Sequence, residues 1–433
     1  MSGALTQAPA EATAIGAEEF AALLTGFTGL SDKIAIAVSG GPDSIALAFC
    51  LKRWGQRDIV AFIVDHGLRP EAAAEAASVQ KQLQHMGITA EILSWEHAGV
   101  SGRLHEKARA ARYRLLTQAC HAHHIRDLFI AHHRDDQAET VLMRIAKGSG
   151  IEGLAGIAPQ TARDDIRLLR PLLNIGKDRL IATCVVHHID SVRDPSNQSE
   201  KYARGRLRKI LPLLANEGLT VENLTLLASR AADVKETLDI YTEIFLKSAA
   251  HCEQGGHIRL NRQNLRETPR AIGLRGLTAC LRYIHDDDYP PEYSALLSLW
   301  QALTDTQTDI TRTLYGNVIY TSETEIHFIR ETSAANEILP VTLNQPILWD
   351  NRWMVTLQAS APFSTLPNLT LCALGNPTHA EIDALAPDLR HAIPQGRIRA
   401  CLPALWSNNK LCAIPSFNPD AAFTLHYRKR SFP

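Results

Sequence analysis

Six residues, Ser39-Gly40-Gly41-Pro42-Asp43-Ser44, put two glycines, two hydroxyls and one carboxylate between an apolar stretch at 33–38 and another at 45–51. Glycine reaches backbone conformations closed to other residues, so a Gly-Gly pair can turn successive N–H groups onto phosphate oxygens. A helix starting just after the pair adds its positive N-terminal end. Ser39 and Ser44 add hydroxyl donors. Asp43 is out of place beside a polyphosphate unless a cation separates them, and Mg²⁺ between Asp43 and the phosphates resolves the repulsion. No lysine closes the loop, so it is not the G-x-x-x-x-G-K-[ST] loop of common NTPases.

Other residues with chemical potential lie downstream. Asp136 and Glu139 are spaced i, i+3 and share one helix face. The rival reading is that Asp135 and Asp136 simply favour the positive end of their helix. Arg112, with Arg109 one turn earlier, can stabilise charge building on a phosphoryl group, although a helix-surface ion pair also suits it. His132 and His133 have no third soft ligand nearby, which favours orienting a nucleotide or carboxylate over binding a metal. Between 201 and 209, Lys201, Arg204, Arg206, Arg208 and Lys209 gather five positive charges around Tyr202. Such a run suits nucleic-acid phosphates or, more blandly, a solvated face. His426, Tyr427, Arg428, Lys429 and Arg430 make a second basic end.

These pieces need a scaffold to meet. From 33 to 190, short apolar runs (33–38, 58–64, 88–93, 127–131) alternate with helical stretches (45–54, 70–86, 104–123, 135–147). Strands joined by helices make a parallel sheet with helices on both faces. Ligands then bind beyond the carboxyl ends of the strands. The loop at 39–44 and the segments at 65–69 and 132–140 all follow strands, so one fold rule gathers them at one edge. A Gly-rich loop at 148–156 lies close by. Past 216 the pattern becomes helical (219–249, 265–303), and after 332 it turns to β-type runs at 353–360, 369–374 and 410–417. Four regions are expected: an N-terminal extension (1–30), an α/β domain (31–215), a helical middle domain (216–331) and a small β-rich C-terminal domain (332–433).

The hexapeptide matches SGGxDS, the pyrophosphate loop of N-type ATP pyrophosphatases, which cleave ATP between its α- and β-phosphates. With Asp65-His66-Gly67-Leu68-Arg69, Ala108 to Tyr113, Ala131 to Thr140, Arg170-Pro171-Leu172, Asp194-Pro195-Ser196-Asn197 and Tyr202 to Arg208, the order over 30–215 resembles the tRNA(Ile)-lysidine synthetase family. The stretch 398–417 is also similar to that family's C-terminal module. The resemblance implies an adenine nucleotide alpha hydrolase-like fold, ATP and Mg²⁺ as cofactors, and a tRNA(Ile) with a CAU anticodon and free L-lysine as substrates. It implies adenylation of C2 of the wobble cytidine and displacement of AMP by lysine. The product, lysidine, moves codon reading from AUG to AUA.

The family match assigns Ser39, Gly40, Gly41, Pro42, Asp43 and Ser44 to ATP, with Asp43 on the metal. It makes Asp43, Arg112, Asp136 and Glu139 catalytic, with Asp136 and Glu139 holding the lysine. A carboxylate pair can bind an ammonium ion and take its proton before the amine attacks. Arg204, Arg206, Arg208 and Lys209 become tRNA contacts, and a homodimer is compatible with the resemblance.

Bulk properties narrow the alternatives. The 433 residues carry a formal net charge of −1, so any nucleic-acid footprint must be local. Eight cysteines without a C-x-x-C pair argue against a zinc ribbon, an iron–sulfur site or a disulfide framework. They also weigh against a tRNA thiolase, the nearest rival. A metal phosphohydrolase would use the His-His and Asp-Asp run but leave the glycine loop without a purpose. A non-catalytic RNA-binding descendant would not need Asp43, Arg112, Asp136 and Glu139 together. The first 16 residues lack a basic and apolar leader, and no apolar run approaches bilayer length, so a cytoplasmic enzyme is expected.

Overall fold

The computed structural model describes residues 12–68, 70–97, 104–191, 203–285, 290–305, 308–386, 389–417 and 423–427. The chain divides into two compact units, Met1–Lys235 and Glu236–Pro433. The first opens with α1 (Ala17–Leu24), β1 (Lys33–Val38), α2 (Pro42–Trp54), β2 (Asp58–Asp65), α3 (Ala72–His85), β3 (Thr89–Ser94) and α4 (Leu104–Ala122). β4 (Asp127–Phe129), α5 (Arg134–Ala146), α6 (Ile151–Leu154), β5 (Gln160–Arg163), β6 (Ile166–Leu169), α7 (Lys177–Val186) and α8 (Ala203–Asn216) follow, and α9 (Val221–Ala249) begins in the first unit and continues past Lys235 into the second.

The sheet runs β3-β2-β1-β4-β6-β5, and every pair is parallel except β5 with β6. A strand apolar on both faces must be covered twice. Ile34, Ile36 and Val38 of β1 pack on one side with α1, α2, α3 and α7, while Ala35 and Ala37 meet Tyr113, Leu116 and Cys120 of α4 on the other. The order reverses between β1 and β4, and the crevice at such a switch point is where this architecture takes ligands. The Gly-Gly loop follows β1 and the His-His segment follows β4, so topology brings together residues about ninety positions apart.

Helix α2 starts three residues before the apolar run, because Pro42 fits the first helical position, where no N–H is needed. The chain joins this core at Ile15, whose N–H donates to Thr183 Oγ1 at 2.9 Å, and Glu19 pairs with Arg179 at 2.6 Å.

The second unit contains the helices expected from the middle of the sequence and a sheet that the apolar pattern did not announce. β7 (Ala250–Cys252), β8 (Ile258–Asn261), α10 (Arg262–Glu267), α11 (Arg270–Ile284), α12 (Tyr293–Asp305), β9 (Thr311–Leu314), β10 (Asn317–Thr321) and β11 (Glu325–Arg330) form it. The five strands are antiparallel in the order β7-β8-β11-β10-β9. Each has three to six residues, too few to display a period of two.

The β-type runs near the C-terminus are strands as expected. β12 (Leu339–Pro340), β13 (Pro346–Trp349), β14 (Trp353–Leu357), β15 (Leu369–Ala373), β16 (Pro403–Ser407), β17 (Lys410–Ala413) and β18 (Phe423–Tyr427) build two small sheets, β12-β15-β16-β17 and β13-β14-β18. No helix among the described residues is long and apolar enough to cross a membrane.

Candidate active site

At the mouth of β1, Gly40 is buried with φ at 82°, a conformation that costs a side-chain-bearing residue about 1 kcal/mol or more. Gly41 caps α2, and the helix's first N–H groups have no partner within the helix. Ser44 is buried and braces the turn: its hydroxyl donates to Gly41 O at 3.0 Å and accepts from Ser39 N at 3.1 Å. Ser39 is exposed, with its Oγ 3.3 Å from that of Ser44.

Asp43, in the first turn of α2, points one carboxylate oxygen at His133 Nε2 (3.5 Å) and Lys177 Nζ (3.9 Å). Its other oxygen, Oδ1, is buried and accepts no hydrogen bond among the described residues. An orphaned carboxylate oxygen beside a phosphate-type loop suits a hard divalent cation, which takes oxygen ligands. The residues present therefore fit Mg²⁺ at Asp43. Lys177, first residue of α7, drew no attention in the sequence, because its neighbourhood carries no motif and only folding brings it to Asp43.

His133 is the hub. It is 3% exposed and sits 3.4 Å from Asp135 and 3.5 Å from both Asp43 and Asp136. Burial alone would push its imidazole down, but the carboxylates of Asp135, Asp43 and Asp136 outweigh burial and lift it to about 10. The ring is thus an imidazolium at neutral pH. Burial raises the Asp135 carboxyl, yet His133 and the Lys177 N–H at 3.0 Å hold it at about 2. Burial raises Asp136 as well, yet the charges of His133 and Arg204 and the His133 N–H at 3.2 Å hold it below the ordinary carboxylate range. Asp135 thereby ties α5 to the start of α7, and Asp136 caps its own helix while facing the site. The capping contact expected as one reading of Asp136 is present, and the same side chain lies 3.5 Å from His133.

Glu139, one turn further along α5, is 2% exposed. Arg208 Nε donates to its Oε1 at 2.6 Å, and Arg204 Nε lies 3.0 Å from Oε2 but out of line for a hydrogen bond. Arg204 Nη2 also reaches Thr140 Oγ1 at 3.3 Å and Asp136 at 4.0 Å. The i, i+4 arginines of α8 thus reach α5 with their guanidinium groups, although Arg208, like Arg206 and Lys209, is exposed. Lys201, Tyr202, the 194–197 segment and residues 428–430 lie outside the described residues.

Arg112 is half-buried on α4, and burial together with the charge of Arg109 works against its protonated form. Arg109 is exposed and stacks its guanidinium over Tyr113, 5.2 Å from the ring centre. Two further residues emerge only from the fold. Gln137 clamps the Gly-rich loop, accepting from Ile157 N at 2.6 Å and donating to Ile157 O at 3.0 Å. Gly156 has φ at 67°, and a Cβ there would lie 2.5 Å from Gln137 Oε1, so the clamp requires glycine. Arg170 is buried and donates to His132 Nδ1, Ala158 O and Thr161 Oγ1. The arrangement gathers a glycine loop at a helix N-terminus, a carboxylate with one unpartnered oxygen, further carboxylates and cationic groups at one sheet edge, a set suited to binding and transferring a phosphoryl-bearing group.

Residues 16–214 match the PP-loop domain family model. A tRNA(Ile)-lysidine synthase from Wolbachia of Brugia malayi is 33% identical over 344 residues, covering 78% of this chain and 80% of its own. One from Ruegeria pomeroyi is 35% identical over 389 residues, covering 88% of each chain. A third, from Rhodopseudomonas palustris, is 41% identical over 279 residues, 62% of this chain and 80% of its own.

Proposed function

We infer the reaction from one premise: the chain belongs to the tRNA(Ile)-lysidine synthase family. It is an ATP-dependent ligase that converts the wobble cytidine of the AUA-reading tRNA(Ile) to lysidine. ATP adenylates the C2 oxygen of that base and releases pyrophosphate, and the ε-amino group of free lysine then displaces AMP. Lysidine pairs with A, so the codon read changes from AUG to AUA. Such an enzyme works where tRNA is matured, in the cytoplasm.

The observation that carries the division of labour is the carboxylate chain Asp43–His133–Asp136, with Glu139 one turn on. The loop 39–44 holds the pyrophosphate end of ATP with its N–H groups and the N-terminus of α2. Asp43, whose Oδ1 accepts no hydrogen bond among the described residues, would hold Mg²⁺, and the cation would supply positive charge beside the phosphates. Lys177, within 3.9 Å of Asp43, adds a mobile positive charge at that end. Arg112 stabilises charge shifting onto the α-phosphoryl oxygens. Asp136 and Glu139 bind the ammonium of lysine, and one of them takes its proton so that the amine can attack. His133, already protonated, is not that base: it holds three carboxylates together that would otherwise repel one another.

Arg204, Arg206, Arg208 and Lys209 follow the ATP site on α8 and provide phosphate contacts for the tRNA. Arg204 and Arg208 also hold Glu139 in place, so lysine must share or displace them. The helical middle region (216–331) and the β-rich C-terminal region (332–433) supply the remaining tRNA surface.

The test is pyrophosphate release by the purified chain with the minor isoleucine tRNA, with and without labelled lysine. Release that requires this tRNA, with lysine incorporated into the RNA, is the expected result. ATP cleavage driven by another tRNA or a small acceptor would retain the loop's role and overturn the substrate.

A further inference from the structure

We propose that His132 serves this site as a fixed, neutral hydrogen-bond donor to the α-phosphoryl oxygens, and that Arg170 is the positioning residue that locks its ring in the Nε2–H form. The role in catalysis rests on the adenylyl-transfer reading above, whereas the state of the ring does not.

Two adjacent histidines at the end of β4 have opposite surroundings. His133 faces three carboxylates. His132 turns Nδ1 to the Nε of Arg170 at 3.2 Å. A guanidinium has only donors and does not lose its proton, so Nδ1 must accept. A neutral imidazole has one N–H, which then sits on Nε2.

Arg170 cannot swing away to let the ring re-protonate. It is 7% exposed, and its other two nitrogens are held by Ala158 O at 2.8 Å and Thr161 Oγ1 at 3.1 Å. Both anchors belong to the chain leading into and forming β5, so β5 and β6 act as a brace for the ring. Asp136 favours a second proton on His132, while Arg170, Arg112 and Arg109 oppose it. Burial is the largest influence, and the balance leaves the ring down at about 3.

The ring's free nitrogen is placed where adenylyl transfer needs a donor. His132 follows β4 at the switch point, beside the residue that touches Asp43, and within electrostatic reach of Arg112. Nε2 is not a sealed atom, and among the described residues no side chain accepts from it. A neutral imidazole there can donate to oxygen as charge builds, with no competing proton transfer. Arg112 supplies charge and His132 direction.

The first arm of the test uses the full chain with ¹⁵N-labelled histidine and no substrate. His132 should show a protonated Nε2 and an unprotonated Nδ1, unchanged from pH 8 to pH 5. A titration near its ordinary value, or the opposite tautomer, overturns the lock whatever the substrate proves to be. In the second arm, His132→Ala should slow tRNA-dependent pyrophosphate release about 100-fold, the scale of losing one oxyanion donor, with the KM for lysine unmoved. His132→Gln keeps an N–H near the Nε2 position and should recover most of that loss. Equal rates for His132→Ala and the wild type overturn the donor role.

The third arm separates positioning from packing. Arg170→Met removes one of the groups that oppose a second proton on His132, so an acid limb should enter the rate profile at a higher pH than in the wild type, though burial keeps it below the ordinary imidazole range. Arg170→Met combined with His132→Gln should lack that limb. A uniform loss at every pH in Arg170→Met, with a melting temperature like that of wild type, overturns the positioning role. If Arg170→Met does not fold, Arg170→Lys replaces it: a lysine keeps a cation at Nδ1, so the profile should stay flat.

Discussion

Two clusters of acids and arginines, one in each unit, resemble each other in composition and differ in how fully they are answered. In the second unit Asp350 sits between Arg330 and Arg352, all three under 9% exposed. Both its oxygens accept from guanidinium groups, at 2.6 to 3.2 Å, and its N–H donates to Glu337 at 2.9 Å. Arg330 also reaches His285, and Cys401 donates back to Arg330 O. In the first unit Asp43, Asp135, Asp136 and Glu139 converge with His133, Lys177, Arg204 and Arg208. There Asp43 Oδ1 and Glu139 Oε2 are buried without a hydrogen bond. A network built for stability satisfies its lone pairs, because an unanswered buried group costs about 1–3 kcal/mol. On the function proposed above, the partly unanswered carboxylates of the first unit are the ones that take a further cation, although Arg204 Nε already lies 3.0 Å from Glu139 Oε2.

That contrast predicts opposite responses to losing one carboxylate. Asp43→Ala should lower tRNA-dependent pyrophosphate release by about 1000-fold or more while leaving the melting temperature near that of wild type. If it unfolds the chain instead, the two clusters are the same kind of object and the comparison breaks. Asp350→Ala should do the reverse: two buried guanidinium groups lose their counter-ion, at a cost of about 3–5 kcal/mol in denaturant unfolding.

Smaller effects sharpen the difference within the site. Glu139→Ala should raise the KM for lysine about tenfold or more, the weight of one charge-assisted hydrogen bond, with tRNA-dependent pyrophosphate release changed far less. Equal damage to both would remove Glu139 from the lysine pair.

The mildest change is expected at Asp135. Its folded carboxyl lies at about 2, below its ordinary value of 3.8, so its stabilisation is present above pH ~4 and is lost as pH falls toward 2. The group is 37% exposed, so screening trims the contribution to about 1 kcal/mol. The stability gap between wild type and Asp135→Asn, followed by urea melts, should therefore be constant from pH 7 to about 4 and shrink below it.

Much of the site was legible before any coordinates because its signals are local. The Gly-Gly turn, Asp43 in the first turn of α2, and the i, i+3 spacing of Asp136 and Glu139 are each confined to a few residues whose geometry one strand or helix fixes. Where the partner lies far along the chain the sequence was silent. Arg208 reads as a phosphate contact in a basic run, yet it donates to Glu139 across 69 positions. Arg170 reads only as part of a short motif, and its 38-residue reach to His132 needs β4 and β6 side by side. The five-stranded sheet of the second unit was hidden for another reason. Its strands are short and interleaved with strongly apolar helices, so no period could be counted.

The sequence by itself therefore determined the element order from β1 to α5, the phosphate loop and the list of groups able to do chemistry. Periodicity and turn residues act over one or two turns of chain. Tertiary structure alone decided which of those groups meet and in what state. It gave neighbouring histidines opposite surroundings, carboxylates around His133 and a guanidinium against His132, and side-chain ionisation answers to whatever charge lies within a few ångströms. In a folded chain those neighbours come from strands and helices that the sequence keeps far apart.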